Sequence, residues 1–194
     1  MTESSCIDAT GDIVPARAGE THFDVLGVPR TFALDARELE QRYKALSRKL
    51  HPDRFVTAAP ATRMLSLKRA TDLNQAYKTL KDPVRRAEYL LGLVGVDVGR
   101  EDGGGPKAAP AFLMEIMELR EGLLEAREAK DAIRVGAMTT DVRARAAAAL
   151  AEVAAGFAAG DTARVTAAVI ELRYFRRFLD EVEAGGGDDD EVAA

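Results

Sequence analysis

His51, Pro52 and Asp53 place an imidazole and a carboxylate side by side, the residue types most often used to move protons or to bind a charged partner. A histidine oriented by a carboxylate can act as a general base. The sequence, however, singles out neither a serine or cysteine nucleophile nor a cluster of metal ligands beside it. A catalytic histidine is therefore the weaker hypothesis, and an ordinary turn between helices is the simplest one.

Recognition of a partner is the hypothesis that these three residues favour. The Asp53 carboxylate can accept two parallel hydrogen bonds from an arginine, and the His51 ring can donate or accept. Pro52 stiffens the loop, which lowers the entropy lost when a partner binds. The tripeptide thus predicts a small, oriented set of polar groups on a loop.

Two predicted helices flank this loop. Apolar residues at spacings of i, i+4, i+7 and i+11 predict a helix over residues 35–50, and residues 61–81 have a second helical pattern. The apolar positions of the first helix are Leu39, Tyr43, Leu46 and Leu50. Its opposite face carries Arg37, Gln41, Lys44 and Arg48, with Arg42 and Lys49 flanking the seam. Asp35 is the expected N-cap, and Pro52 disfavours helical backbone at His51. An antiparallel helical hairpin with a basic stripe is predicted.

The remaining pattern is helical throughout, so the fold class expected is all-α. Short helices flank the hairpin, and a linker over residues 96–110 separates it from three further helices over residues 111–130, 131–156 and 162–183. We expect a hairpin domain over residues 21–95 and a three-helix bundle over 111–183. Residues 1–20 and 184–194 have compositions typical of disordered segments.

The first bundle helix has more apolar surface than one packing seam needs. Phe112, Ile116, Leu119 and Leu123 form one stripe, and Leu113, Met117 and Leu124 form a second about 130° away around the axis. Met114, Glu118, Glu121 and Glu125 extend the second face from apolar to acidic. In the last helix, Ile170, Tyr174 and Phe178 fall on a different side from the seam of Val165, Val169, Leu172 and Leu179. These patterns predict a protein-binding surface, with burial of both stripes as the alternative.

Composition excludes several classes of protein. The chain has 194 residues, a formal net charge of −5, one cysteine and two histidines, which cannot form a disulfide framework or a closed zinc site. The negative charge disfavours nucleic acid and anionic membranes as partners. No apolar run is long enough to span a membrane, and residues 1–20 lack the features of a signal or transit peptide. We expect a cytoplasmic protein without a cofactor or metal.

Several ordered blocks of sequence resemble a DnaJ-type J domain: residues 23–28, the basic helix, residues 51–55, and residues 73–77 followed by 80–83. Residues 83–91 and 112–121 are similar to the corresponding blocks of the HscB family, co-chaperones of iron-sulfur cluster assembly. The resemblance covers roughly residues 21–183 and is faintest over 135–161. The N-terminal zinc module of some family members has no counterpart here.

The resemblance implies two partners. In J domains the tripeptide matching His51, Pro52 and Asp53 stimulates ATP hydrolysis by a heat-shock chaperone of the HscA or DnaK type, and the basic helix docks on that chaperone. The matching docking candidates are Arg37, Arg42, Lys44, Arg48 and Lys49. In the HscB family the bundle binds an iron-sulfur scaffold protein of the IscU type. The positions matching that contact are Leu113, Met114, Met117, Glu118, Glu121, Glu125 and Tyr174.

Two rival functions stay open on the sequence alone. One is a general J-domain protein whose bundle dimerises or recruits a different client. The other is a nucleic-acid-binding protein that uses the basic stripe, which the net charge and the lack of aromatics among the basic residues disfavour.

Overall fold

The computed structural model describes residues 4–8, 12–98 and 105–185, and in these ranges the chain is helical, as the sequence predicts. It divides into two compact units, Met1–Leu90 and Leu91–Ala194. The α-helices described are α1 (His22–Leu26), α2 (Ala36–Leu50), α3 (Pro60–Lys81), α4 (Pro83–Leu93), α5 (Pro110–Glu128), α6 (Ala132–Ala159) and α7 (Thr162–Ala184). None of them combines the length and the apolar character needed to cross a membrane.

Helices α2 and α3 form the predicted hairpin of the N-terminal unit. The Asp35 side chain caps α2 by accepting hydrogen bonds from the backbone N–H groups of Arg37 and Glu38 at 2.7 and 3.0 Å. The predicted apolar face of α2 is buried at Leu39, Leu46 and Leu50. Tyr43 completes it by stacking on Tyr77 of α3, with ring centroids 4.0 Å apart, while its hydroxyl donates to Asn74 Oδ1 at 2.9 Å. The hairpin is therefore closed by both apolar and aromatic contacts.

The prediction that residues 1–20 are disordered is wrong for the parts that the structure describes, residues 4–8 and 12–20. Cys6 is fully buried, and Ser5 N–H donates to the carbonyl oxygen of Asp24 in α1 at 2.9 Å. Glu20 forms an ion pair with Arg69 on the buried face of α3. A segment with few apolar residues is held in place because α3 buries a cation that needs a carboxylate.

His22 connects α1 to α4. Its ring stacks on Tyr89 with the centroids 4.3 Å apart, and its backbone N–H donates to the Tyr89 hydroxyl at 3.0 Å. Burial lowers the pKa of His22, and the nearby Asp72 carboxylate opposes that shift without cancelling it. The folded state therefore favours the neutral ring.

This shift predicts a pH dependence of stability. As the pH falls through about 6.5, the unfolded chain protonates His22 while the folded chain resists, so the free energy of unfolding decreases. We expect urea denaturation to give a lower midpoint at pH 5.5 than at pH 7.5, and His22→Gln to lose a measurable part of that difference. An equal difference in the native protein and the variant would contradict the assignment to His22.

Helices α5, α6 and α7 form the predicted bundle of the C-terminal unit, with Ile116 and Leu123 of α5 buried. Helix α6 runs to Ala159, beyond the end expected near residue 156, and it ends at Gly160, where φ is +70°. Gly156, the last residue of the predicted helix, lies inside α6, and Val165 of α7 packs against it. A Cβ atom at Gly156 would lie 2.7 Å from Val165 Cγ2, so glycine is needed there for close helix packing.

The predicted linker and tail are only partly described. The structure divides inside α4, at residues 90 and 91, rather than within residues 96–110. Val98 is buried, and its carbonyl oxygen accepts a hydrogen bond from the Arg173 guanidinium of α7. Residues 96–98 therefore belong to the C-terminal unit. Residues 99–104 of the predicted linker and 186–194 of the predicted tail lie outside the described residues.

Candidate functional site

His51, Pro52 and Asp53 form an exposed loop where α2 ends. Pro52–Phe55 is a single turn of 3₁₀ helix, and His51 caps it because its Nδ1 accepts a hydrogen bond from Asp53 N–H at 3.3 Å. The same Nδ1 lies 3.5 Å from Asp53 Oδ2, and the side chains are 57% and 85% exposed. A neutral ring that accepts at Nδ1 carries its proton on Nε2. The loop thus offers one ring N–H donor and one carboxylate to a partner.

The predicted docking face of α2 is solvent-accessible at four of its five positions. Arg37, Lys44, Arg48 and Lys49 are exposed. Lys44 Nζ lies 2.8 Å from Glu40 Oε1, which reduces the charge it offers. These four residues define what we call the basic face.

Arg42 is the exception among the predicted docking residues. Its side chain is only 18% exposed, and its Nε donates to Glu38 Oε1 at 3.0 Å. The covered, neutralised guanidinium stabilises α2 as an i, i+4 pair rather than projecting toward a partner. Arg42 is accordingly the least suited of the predicted docking residues.

The second stripe of α5 is exposed, so the alternative in which both stripes are buried is wrong. Met114 is 64% exposed, Met117 61% and Leu124 59%, whereas Ile116 and Leu123 of the first stripe are buried. Leu113 is half-buried at the edge between the two stripes. The C-terminal unit therefore leaves a row of large apolar side chains in water.

Of the three α7 residues predicted on a side away from the seam, Tyr174 is the one that is not buried. Tyr174 is half-exposed and packs edge-to-face on Phe112 at the start of α5, with ring centroids 5.7 Å apart. Ile170 and Phe178 are buried, so their placement with Tyr174 on an open side is wrong. Because α7 packs against both α5 and α6, its apolar residues are covered over more than one stripe. We call Leu113, Met114, Met117, Leu124 and Tyr174 the apolar surface.

Carboxylates border the apolar surface on α5. Glu118, Glu121 and Glu125 are exposed and follow one another along the helix at spacings of three and four residues. Glu125 Oε2 accepts a hydrogen bond from Arg134 of α6 at 2.9 Å. Within the described ranges Glu118 and Glu121 have no ion-pair partner, so their full charge faces solvent.

Two residues of this region were not among the predicted contacts. Leu124 belonged to the second stripe, and its spacing from Met117 was the signal that places it on the apolar surface. Glu128 is exposed and lies one turn beyond Leu124, which extends the acidic border. Its position could have been predicted from the same helical period.

A helical hairpin with an exposed His-Pro-Asp loop, followed by a separate helical bundle, defines a J-domain co-chaperone. The DnaJ domain family model matches residues 21–89, and the model of the HSCB C-terminal oligomerisation domain matches residues 108–183. The chain belongs to the HscB family of co-chaperones.

Similar proteins agree with this assignment. The co-chaperone protein HscB homologue of Burkholderia mallei is 39% identical over 165 residues, which cover 85% of this chain and 93% of that protein. The structure of chaperone HscB from Vibrio cholerae has a TM-score of 0.76 and 34% identity, covering 87% of this chain and 99% of that one. The crystal structure of human co-chaperone protein HscB has a TM-score of 0.84 and 26% identity, covering 96% and 92%. The family relationship extends across both units of the chain.

Proposed function

We propose that this co-chaperone binds an iron-sulfur cluster scaffold protein of the IscU type through its apolar surface and stimulates the ATPase of a heat-shock chaperone of the HscA or DnaK type through its J domain. The observation that carries the proposal is the exposed apolar surface with its acidic border, in the same chain as an exposed His-Pro-Asp loop. The apolar surface and the loop can therefore each bind a different partner. One molecule then delivers the client and triggers the hydrolysis that traps it.

The J-domain side of the proposal rests on charge and preorganisation. Four exposed cations on one helix attract an acidic surface and orient it, which accelerates encounter more than it tightens the complex. At the end of that helix the Asp53 carboxylate can accept a bidentate hydrogen bond from a partner arginine. The hydrogen bond from Asp53 N–H to His51 already fixes the loop, so little order remains to be imposed on binding.

The scaffold side rests on apolar burial with a charged rim. Met114 and Met117 are flexible thioethers that adapt to an irregular partner surface, and Leu124 and Tyr174 add apolar area. Glu118 and Glu121, which lack ion pairs in the described part of the chain, favour a partner with lysine or arginine beside its own apolar residues.

A charge on the apolar surface should disrupt scaffold binding. We expect Met117→Glu to weaken the affinity for the purified scaffold by roughly 30-fold, because a carboxylate would lose its hydration in an apolar contact. Isothermal titration calorimetry of the two proteins measures the effect. Ile133→Glu is the matched control, since Ile133 is 87% exposed on α6 outside the apolar surface. Equal affinities for Met117→Glu and the native protein would contradict the proposed surface.

A second candidate function is favoured by the family model that matches the bundle, whose description names oligomerisation. On this hypothesis the apolar surface binds a second copy of the chain. Sedimentation velocity of the native protein and of Met117→Glu separates the candidates. A native dimer that dissociates in the variant, without specific retention of the scaffold, would favour self-association.

A further inference from the structure

Two methionines lie on the apolar surface, and a third exposed methionine lies elsewhere. Met114 and Met117 are one helical turn apart on α5, at 64% and 61% exposure. Met64 is 68% exposed on α3, in the other unit. Met138 is half-buried, with its side chain packed over Gly122 of α5. Solvent-borne oxidants therefore reach the sulfur atoms of the apolar surface more readily than that of Met138.

We propose that Met114 and Met117 form a reversible oxidation site that releases the scaffold when the two thioethers become sulfoxides. The inference rests on the proposed scaffold-binding function and adds a regulation of that same surface. Hydrogen peroxide is the class of oxidant: each thioether sulfur attacks one peroxide oxygen, an S–O bond forms and the O–O bond breaks. The other oxygen leaves as water, so sulfur loses two electrons and peroxide gains them. Methionine sulfoxide reductases restore the thioethers: two thiols supply the two electrons and become a disulfide, and the sulfoxide oxygen leaves as water.

The polar groups around Met114 and Met117 determine how much the sulfoxides would lower the affinity for the scaffold. A sulfoxide oxygen accepts hydrogen bonds, whereas the thioether it replaces hardly does. Along α5, the carboxylates of Glu118 and Glu121 follow Met114 and Met117 by one turn, and as ionised groups they have no proton to donate. The donor on this stretch of the helix, Arg120, has its Nε 3.4 Å from the Glu181 carboxylate of α7. When an apolar partner covers the oxidised surface, the sulfoxide oxygens are buried beside carboxylates that cannot donate to them, and the nearby Arg120 is paired with Glu181.

We expect oxidation to weaken scaffold binding by making the apolar surface more polar, without changing the fold. Both methionines are largely exposed in the free protein, so we expect oxidation to leave the packing of the bundle intact. Burying an unsatisfied polar oxygen weakens binding by about tenfold or more for each sulfoxide that the partner covers. The remaining members of the apolar surface, Leu113, Leu124 and Tyr174, offer no thioether, so the effect is confined to the two methionines.

The test compares native and oxidised full-length protein. The co-chaperone is treated with hydrogen peroxide, the peroxide is removed with catalase, and mass spectrometry confirms one added oxygen at Met114 and at Met117. The apo scaffold, never exposed to peroxide, is then titrated in the calorimeter. We expect a dissociation constant at least about tenfold larger after oxidation. Methionine sulfoxide reductases of both stereospecificities should restore the native value.

Leucine variants assign the effect to the surface methionines. The double variant Met114→Leu, Met117→Leu keeps apolar volume and should bind the scaffold equally well before and after peroxide. Met64→Leu, which removes the exposed methionine of the other unit, should remain as sensitive as the native protein. Loss of affinity in the oxidised double variant as large as in the native protein would overturn the assignment.

The outcomes separate this inference from the proposed function. Untreated protein that does not bind the scaffold would overturn the proposed function and this inference with it. Untreated protein that binds, together with verified sulfoxides that leave the affinity unchanged, would overturn the inference alone.

Discussion

His51→Gln and Asp53→Asn are each expected to reduce the ATP turnover of the chaperone partner to its unstimulated rate. The two side chains are exposed, and the His51 side chain contributes to the fold by accepting a hydrogen bond at Nδ1 from Asp53 N–H. A glutamine oxygen can accept that bond, and asparagine matches aspartate in shape but removes the charge that an arginine would pair with. Steady-state hydrolysis with increasing co-chaperone measures the loss.

The controls distinguish a loss of chaperone stimulation from a loss of folding of the N-terminal unit. Circular dichroism and scaffold affinity should be unchanged in both variants, because neither residue is buried. Lys68→Gln changes an exposed charge on α3 that belongs neither to the loop nor to the basic face, and this variant should stimulate the ATPase normally. Loss of helix content in His51→Gln would mean that the histidine acts as a structural cap instead.

Features set by local spacing were predictable from the sequence. The helical period placed Leu39, Leu46 and Leu50 in the core and left the basic face in water. The same period separated the two stripes of α5, and the structure exposes Met117 where the sequence placed it. In each case one helix and its own side chains were enough to determine which face is buried.

Features that depend on a distant contact were not predictable in this way. Gly156 looks like a helix breaker until Val165 is seen to occupy the space that a side chain would need. Phe178 has the spacing of an exposed position but is covered because a neighbouring helix packs over it. The periodicity of a single helix does not show which other helix packs against it, or against which face.

The N-terminal segment is the largest such case, and one buried ion pair joins it to α3. Arg69 is fully buried, and its two Nη atoms bind the two carboxylate oxygens of Glu20 at 2.5 and 2.9 Å. Arg69 also donates to the carbonyl oxygen of Ser5 at 2.8 Å. Burial disfavours ionisation of both partners, yet their mutual hydrogen bonds lower the pKa of Glu20 and raise that of Arg69. Both therefore stay charged at neutral pH.

Glu20→Ala is expected to lower the free energy of unfolding of the N-terminal unit by roughly 3 kcal/mol, because the buried Arg69 guanidinium keeps only the partly exposed Asp72 carboxylate, 3.5 Å away, as counter-charge. Deleting residues 1–20 should cost at least as much, since the Ser5 carbonyl is lost as well. In the double variant Glu20→Leu, Arg69→Leu, much of the stability should return, because no buried charge remains. Urea denaturation followed by circular dichroism measures all three.

Glu38→Gln supplies the matched comparison. It removes the Glu38–Arg42 ion pair, in which the carboxylate is 52% exposed, and should cost only about 0.5 kcal/mol or less. The contrast follows from burial: the Glu38–Arg42 pair lies at the surface, with side chains 52% and 18% exposed, whereas Arg69 is fully buried. If Glu20→Ala were no more costly than Glu38→Gln, the ion pair between Glu20 and Arg69 would not contribute to the stability of the fold. A large difference would mean that α3 of the J domain depends on a segment outside residues 21–89, the range that the family model matches.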